Sequence, residues 1–80
     1  MRLDKFLKIS RLIKRRTVAN DACDAGRVSV NGKVARASYD VKVGDIVEIS
    51  FGTKPVKFQI LAVEDVIKKE NATQLYKIIE

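Results

Sequence analysis

The sequence predicts an α+β fold: two short N-terminal helices packed on a small antiparallel sheet. Three observations carry that prediction. Apolar residues recur with helical spacing over the first 25 positions, they alternate with polar ones after Arg27, and Asn31-Gly32 separates two alternating runs. Eighty residues make one domain, and a chain this short buries only about 60% of its unfolded surface. Hydrophobic residues at 46% and charged ones at 32% are ordinary for a folded globule.

Leu3, Phe6 and Leu7 share one face of the first helix, with Lys5 and Lys8 pointing elsewhere. Asp4 suits the first turn, where a carboxylate meets the positive end of the helix dipole, and it pairs with Lys8 at i, i+4 spacing. Ser10 should end this helix, with Leu12 and Ile13 as apolar anchors of the turn. A second helix is expected from Arg15 to Thr17 onward, capped by Thr17 and stopped by Gly26. Its small face of Ala19, Ala22 and Cys23 permits close packing on the first helix. Cys23 reads as a small core hydrophobe rather than a reactive thiol.

Val28 and Val30 then alternate with Arg27 and Ser29, and Asn31-Gly32 gives a tight hairpin turn from which Val34 opens the return strand. The turn Asp40–Asp45 leads into a strand at Ile46–Phe51, with Val47, Ile49 and Phe51 inward. A turn at Gly52–Pro55 follows, with Pro55 starting or edging the next strand. Val56, Phe58, Ile60 and Ala62 form that strand's inward set. Glu64–Asn71 is a loop or one helical turn, and Leu75–Ile79 closes the sheet.

The charge pattern points to function. Residues 1–16 hold seven cations (Arg2, Lys5, Lys8, Arg11, Lys14, Arg15, Arg16) and one anion, Asp4; residues 17–80 hold nine of each sign. The whole net charge of +6 therefore lies in one fifth of the chain, which argues for an anionic partner met at one place, nucleic acid above all. The bland alternative is a solvated helix face, and Lys5 and Lys8 could be no more than that. The longest apolar runs are a few residues, so no membrane span is expected, nor is a signal peptide. One cysteine forms no internal disulfide and fits a reducing, cytoplasmic setting. With no histidine and a small interior to shift a carboxylate or lysine, catalysis, a metal centre and a cofactor are not expected.

Arg2-Leu-Asp-Lys-Phe-Leu, Lys14-Arg-Arg-Thr-Val-Ala19, Asp24-Ala-Gly-Arg-Val-Ser-Val-Asn-Gly-Lys33 and Val43-Gly-Asp45 stand in an order and spacing that resembles the S4 RNA-binding domain, in register from Arg2 to about Ile49. Arg15 departs from the pattern, since many members of the superfamily carry serine there. That residue, the Ile13–Arg16 run and the short C-terminal extension make the chain similar to the RqcP group of ribosome-associated quality-control factors. The resemblance implies an S4-like RNA-binding domain at residues 1–50, with a β extension of the same domain at 51–80. It also implies a non-enzymatic role on large ribosomal subunits obstructed by peptidyl-tRNA. There the chain would bind ribosomal RNA and tRNA as a monomer, while a separate NEMF-type factor directs C-terminal tailing of the nascent chain. Arg2, Asp4 and Arg16 match positions that look functional in the group.

From the residues themselves, Arg15 and Arg16 at the mouth of the second helix are the first choices for phosphate. Arg2, Lys5, Arg11 and Lys14 extend the face, and Arg27, Lys33 and Arg36 could add contacts from the hairpin. Asp4 either serves the helix or orients a neighbouring arginine. Two other roles stay open: a general tRNA or ribosomal RNA chaperone, and a targeting module acting in trans for an RNA-modifying enzyme.

Overall fold

The computed structural model of the chain describes residues 1–51, 53–63 and 75–79. Its elements run α1 (Leu3–Ile9), α2 (Arg16–Asp24), β1 (Val28–Val30), β2 (Lys33–Val34), β3 (Ile46–Phe51), β4 (Lys54–Ile60) and β5 (Tyr76–Ile78). The strands form one antiparallel sheet in the order β2-β1-β3-β4-β5. The α+β fold expected from the periodicities is the one observed, with the C-terminal strand closing the sheet at its edge.

Register explains which residues go inside. Val28 faces Ile49, Val30 faces Val47, and Val47 faces Phe58. Residues opposite each other across antiparallel strands share a face, so these side chains form one apolar surface. Leu3, Phe6 and Leu7 of α1 and Ala19, Ala22 and Cys23 of α2 join it in a single buried cluster. At its centre Phe58 lies with its ring centroid 6.4 Å from Phe6 and 5.6 Å from Tyr76, the latter edge to face.

Local chemistry sets the element ends. Ser10 terminates α1, its hydroxyl donating to the Leu7 carbonyl at 3.2 Å, and Ile13 is buried beyond it as an anchor. Gly26 follows α2 at φ +78°, where the helix end needs a left-handed residue. Asn31 (φ 53°) and Gly32 (φ 85°) make the hairpin turn, both in the positive-φ region such two-residue loops require.

Several details depart from the sequence reading. Thr17 is not the cap of α2: Arg15 holds that position, no side chain caps it, and Thr17 lies inside the helix. Asp4 does not pair with Lys8; its carboxylate is taken by other donors, described below. Lys33 rather than Val34 opens β2. Strand β4 ends at Ile60, so Ala62 lies beyond it, and Val56 stays 37% exposed near the strand's start. The burial of Phe51, the position of Gly52 and the stretch Glu64–Asn71 lie outside the described residues or side chains. Among the described residues, no helix is long and apolar enough to cross a membrane.

Because Phe58 is fully buried against two other rings, Phe58→Ala should cost about 3–5 kcal/mol. That is a large share of the about 4–12 kcal/mol expected for a domain of this size. Urea denaturation followed by circular dichroism should show the midpoint fall to about half the wild-type value or lower.

Candidate nucleic-acid interface

The site begins with a carboxylate in the core. Asp4 sits in the first turn of α1, with only 3% of its side chain exposed. Removing a charge from water is costly unless donors replace the solvent, and the fold supplies them from three directions. Arg2 gives Nε at 3.2 Å and Nη2 at 3.4 Å. From α2, Arg16 gives Nε at 3.4 Å and Asn20 gives Nδ2 at 3.3 Å. The backbone N–H of Lys5 adds 2.8 Å. Burial pushes the Asp4 pKa up, but the hydrogen bonds from Asn20, Arg16, Arg2 and the Lys5 N–H outweigh it and hold the group below the ordinary 3.8.

The arginines lie half in water: 51% of the Arg2 side chain and 46% of Arg16 are exposed. Each therefore spends part of its guanidinium on Asp4 and turns the rest outward. Together with Thr17, Asn20 and Asp21 they line a shallow pocket of about 390 Å³.

Backbone pairing fixes the approach of Arg2. Leu3 N–H donates to the Tyr39 carbonyl at 2.8 Å, Asp4 N–H to Ala37 at 3.2 Å, and Val41 N–H to Met1 at 2.9 Å. The Met1 ammonium meets Asp40 at 2.6 Å, and this hydrogen bond holds the Asp40 pKa low. The loop at 37–41 thus satisfies the first orphan donors of α1, which no side chain caps.

The other candidates divide by position. Arg11, Lys14 and Arg15 are exposed on the connection between α1 and α2, and Lys5 is half-buried on α1. Arg27, Lys33 and Arg36 are exposed before, within and after the β1–β2 hairpin, and none lines the pocket. The pocket itself carries two cations and two anions, Asp4 and Asp21. Its charge is balanced, and the excess lies outside it, on Arg11, Lys14 and Arg15 of the loop beside it and on Lys5 and Lys8 of α1. The N-terminus of α2 opens in the same region, with no acidic residue in its first turn, so its N–H groups add positive potential. Cys23 takes no part: burial, then the negative charges of Asp4 and Asp24, raise its pKa to about 11 and keep the thiol protonated.

Local sequence rules do not single out Asn20, whose role comes from its contact with Asp4. Its spacing of four from Arg16 places both on one helical face, and that was the available signal. It became meaningful only once α1 presented a carboxylate to that face.

The S4 domain profile matches residues 1–47. The chain belongs to the S4 domain family. This S4 domain is 54% identical over 80 residues to the RQC P-site tRNA stabilizing factor of Bacillus subtilis (strain 168), covering 100% of this chain and 93% of that one. The protein of the same name from Streptococcus pneumoniae (strain ATCC BAA-255 / R6) is 54% identical over 79 residues, with 99% and 90% covered. Among solved structures, the trimeric Heat Shock Protein 15 of Vibrio cholerae matches with a TM-score of 0.90 at 30% identity, over 99% of this chain and 81% of that one.

The lowered pKa of Asp4 has a consequence for stability. The unfolded chain takes up the proton first as pH falls, so the stabilisation is present above about pH 4 and is lost as pH drops through the folded value. Urea midpoints measured from pH 6 to pH 2 should therefore fall less steeply for Asp4→Asn than for the wild type. At pH 7, Asp4→Ala should cost about 1–3 kcal/mol, softened because both arginines can rehydrate.

Proposed function

We propose that this S4 domain is a non-enzymatic RNA-binding factor of ribosome-associated quality control, gripping ribosomal RNA and peptidyl-tRNA on obstructed large ribosomal subunits in the cytoplasm. One observation carries the reading. Two half-exposed arginines from separate elements converge on one buried carboxylate, beside a loop that holds three of the N-terminal cations, Arg11, Lys14 and Arg15. The names of its full-length relatives support the same reading.

In this reading the RNA-binding unit is residues 1–50, with 51–80 a β extension of the same domain. The loop cations Arg11, Lys14 and Arg15 attract the RNA backbone and release its counterions. Arg2 and Arg16 then contact phosphate or stack on an exposed base with the guanidinium edges that Asp4 leaves free. Arg27, Lys33 and Arg36 add weaker contacts from the hairpin side. The chain acts as a monomer that holds the tRNA while a NEMF-type partner directs C-terminal tailing.

The test is co-sedimentation with large subunits carrying peptidyl-tRNA. Arg16→Ala should lose it while its circular dichroism spectrum stays that of the wild type; unchanged sedimentation would remove Arg16 from the interface. If about five phosphates are neutralised, log affinity against log salt should fall with a slope of about −3.5 to −4.5, and a flat dependence would rule out the electrostatic mechanism.

A further inference from the structure

Two described residues other than glycine hold a positive φ, Asn31 at 53° and Arg11 at 64°. Asn31 has its reasons. It belongs to a residue type that tolerates this region, and its side chain is used on both sides, Nδ2 donating to Asp45 Oδ1 at 3.1 Å and Oδ1 accepting the Ile46 N–H at 2.9 Å.

Arg11 has none of these. Its side chain is exposed and makes no hydrogen bond or ion pair with the described residues. Its backbone closes α1: the Arg11 N–H donates to Lys8 O at 3.1 Å, and the Ile13 N–H returns to Leu7 O at 3.1 Å, seating Ile13 in the core. This is the position that helix ends give to glycine, because a left-handed φ drives Cβ against the following carbonyl oxygen. The same chain uses glycine for that task after α2, at Gly26. An arginine kept in a glycine position, with no partner inside the fold, works against stability. Outliers of this kind gather where function requires the side chain.

We propose that Arg11 is a direct contact to the RNA backbone, aimed outward by the left-handed cap of α1, and that the fold gives up stability to keep its guanidinium there. The inference rests on the RNA-binding reading above. It gains weight from the balanced charge of the pocket lined by Arg2, Asp4, Arg16 and Asp21, which leaves Arg11, Lys14 and Arg15, with Lys5 and Lys8 of α1, to supply the excess positive charge.

The experiment compares the wild type with Arg11→Gly and Arg11→Lys, measuring thermal unfolding and the salt dependence of binding to large subunits carrying peptidyl-tRNA. Arg11→Gly relieves the strain, so its Tm should rise by about 3–6 °C after allowing for the extra freedom glycine gives the unfolded chain. The same variant should bind more weakly, with a log–log salt slope shallower by about 0.7–0.9, the loss of one phosphate contact. Arg11→Lys should keep the wild-type Tm and slope, since it retains both the strain and the charge. If Arg11→Gly binds with wild-type affinity and slope while Arg16→Ala does not bind, Arg11 has no such role and the RNA-binding reading stands. A lower Tm for Arg11→Gly overturns the strain argument. Failure of the wild type itself to bind overturns the reading beneath both.

Discussion

A carboxylate buried in an eighty-residue domain is a constraint that everything near it must satisfy. The Asp4 pKa stays below its ordinary value despite burial because α1, α2 and the residue before α1 all point donors at the carboxylate. Those donors in turn fix the geometry of the molecule's N-terminal half. Arg2 must approach from the extended segment that bridges to Asp40, and α2 must present its Arg16–Asn20 face to α1. The small residues of α2, Ala19, Ala22 and Cys23, let that approach be close, and they sit in the apolar cluster beneath the polar contacts. Polar specification and apolar packing thus act through the same two helices.

The division between scaffold and grip follows from this arrangement. Leu3, Phe6, Leu7 and Ile13 belong to the core, while Lys8 and Arg11 between them are exposed. A buried ion pair is weak evidence for stability, since the attraction does little more than offset desolvation. The value of Asp4 lies rather in restricting two long side chains that would otherwise sample many rotamers. Around this ordered pair, the loop cations Lys14 and Arg15 supply potential without order. The site therefore separates two properties, long-range attraction and local geometry, and assigns them to different residues.

Much of this was legible in the sequence because it rests on periodicity and turn chemistry. The alternation of Val28, Val30, Val47 and Ile49, the Asn31-Gly32 turn and the stop at Gly26 follow from local rules that tertiary structure did not overrule. The cap of α2 was not legible. Thr17 is the better capping residue by type, yet the cap falls two residues earlier, at Arg15, and the helix starts at Arg16, whose side chain reaches Asp4. The Asp4–Lys8 pair failed for the same reason: a surface pair is worth only tenths of a kcal/mol, whereas a buried carboxylate demands several donors. Arg11 shows the same limit, since nothing in the sequence marks an arginine as standing where glycine belongs. In the first two cases a long-range contact outweighed a local preference.

The seven N-terminal cations are consequently not interchangeable. At positions 2 and 16 the side chain must serve two anions at once, with the Nε edge on Asp4 and the remaining donors free for a ligand. A planar guanidinium with five donors can do this, and a lysine ammonium, a compact point charge on a flexible stem, cannot hold both in fixed directions. Binding usually costs about 0.5–1.5 kcal/mol for each long side chain immobilised at an interface. Arg2 and Arg16 are already held before any ligand arrives, so that cost falls on folding rather than on binding. A phosphate meeting their free edges replaces water on donors already in place. Lys8 and Lys14 enjoy no such restriction, so their contribution should be potential alone, screened by salt, whereas the paired arginines add a fixed direction to phosphate contacts that salt also weakens.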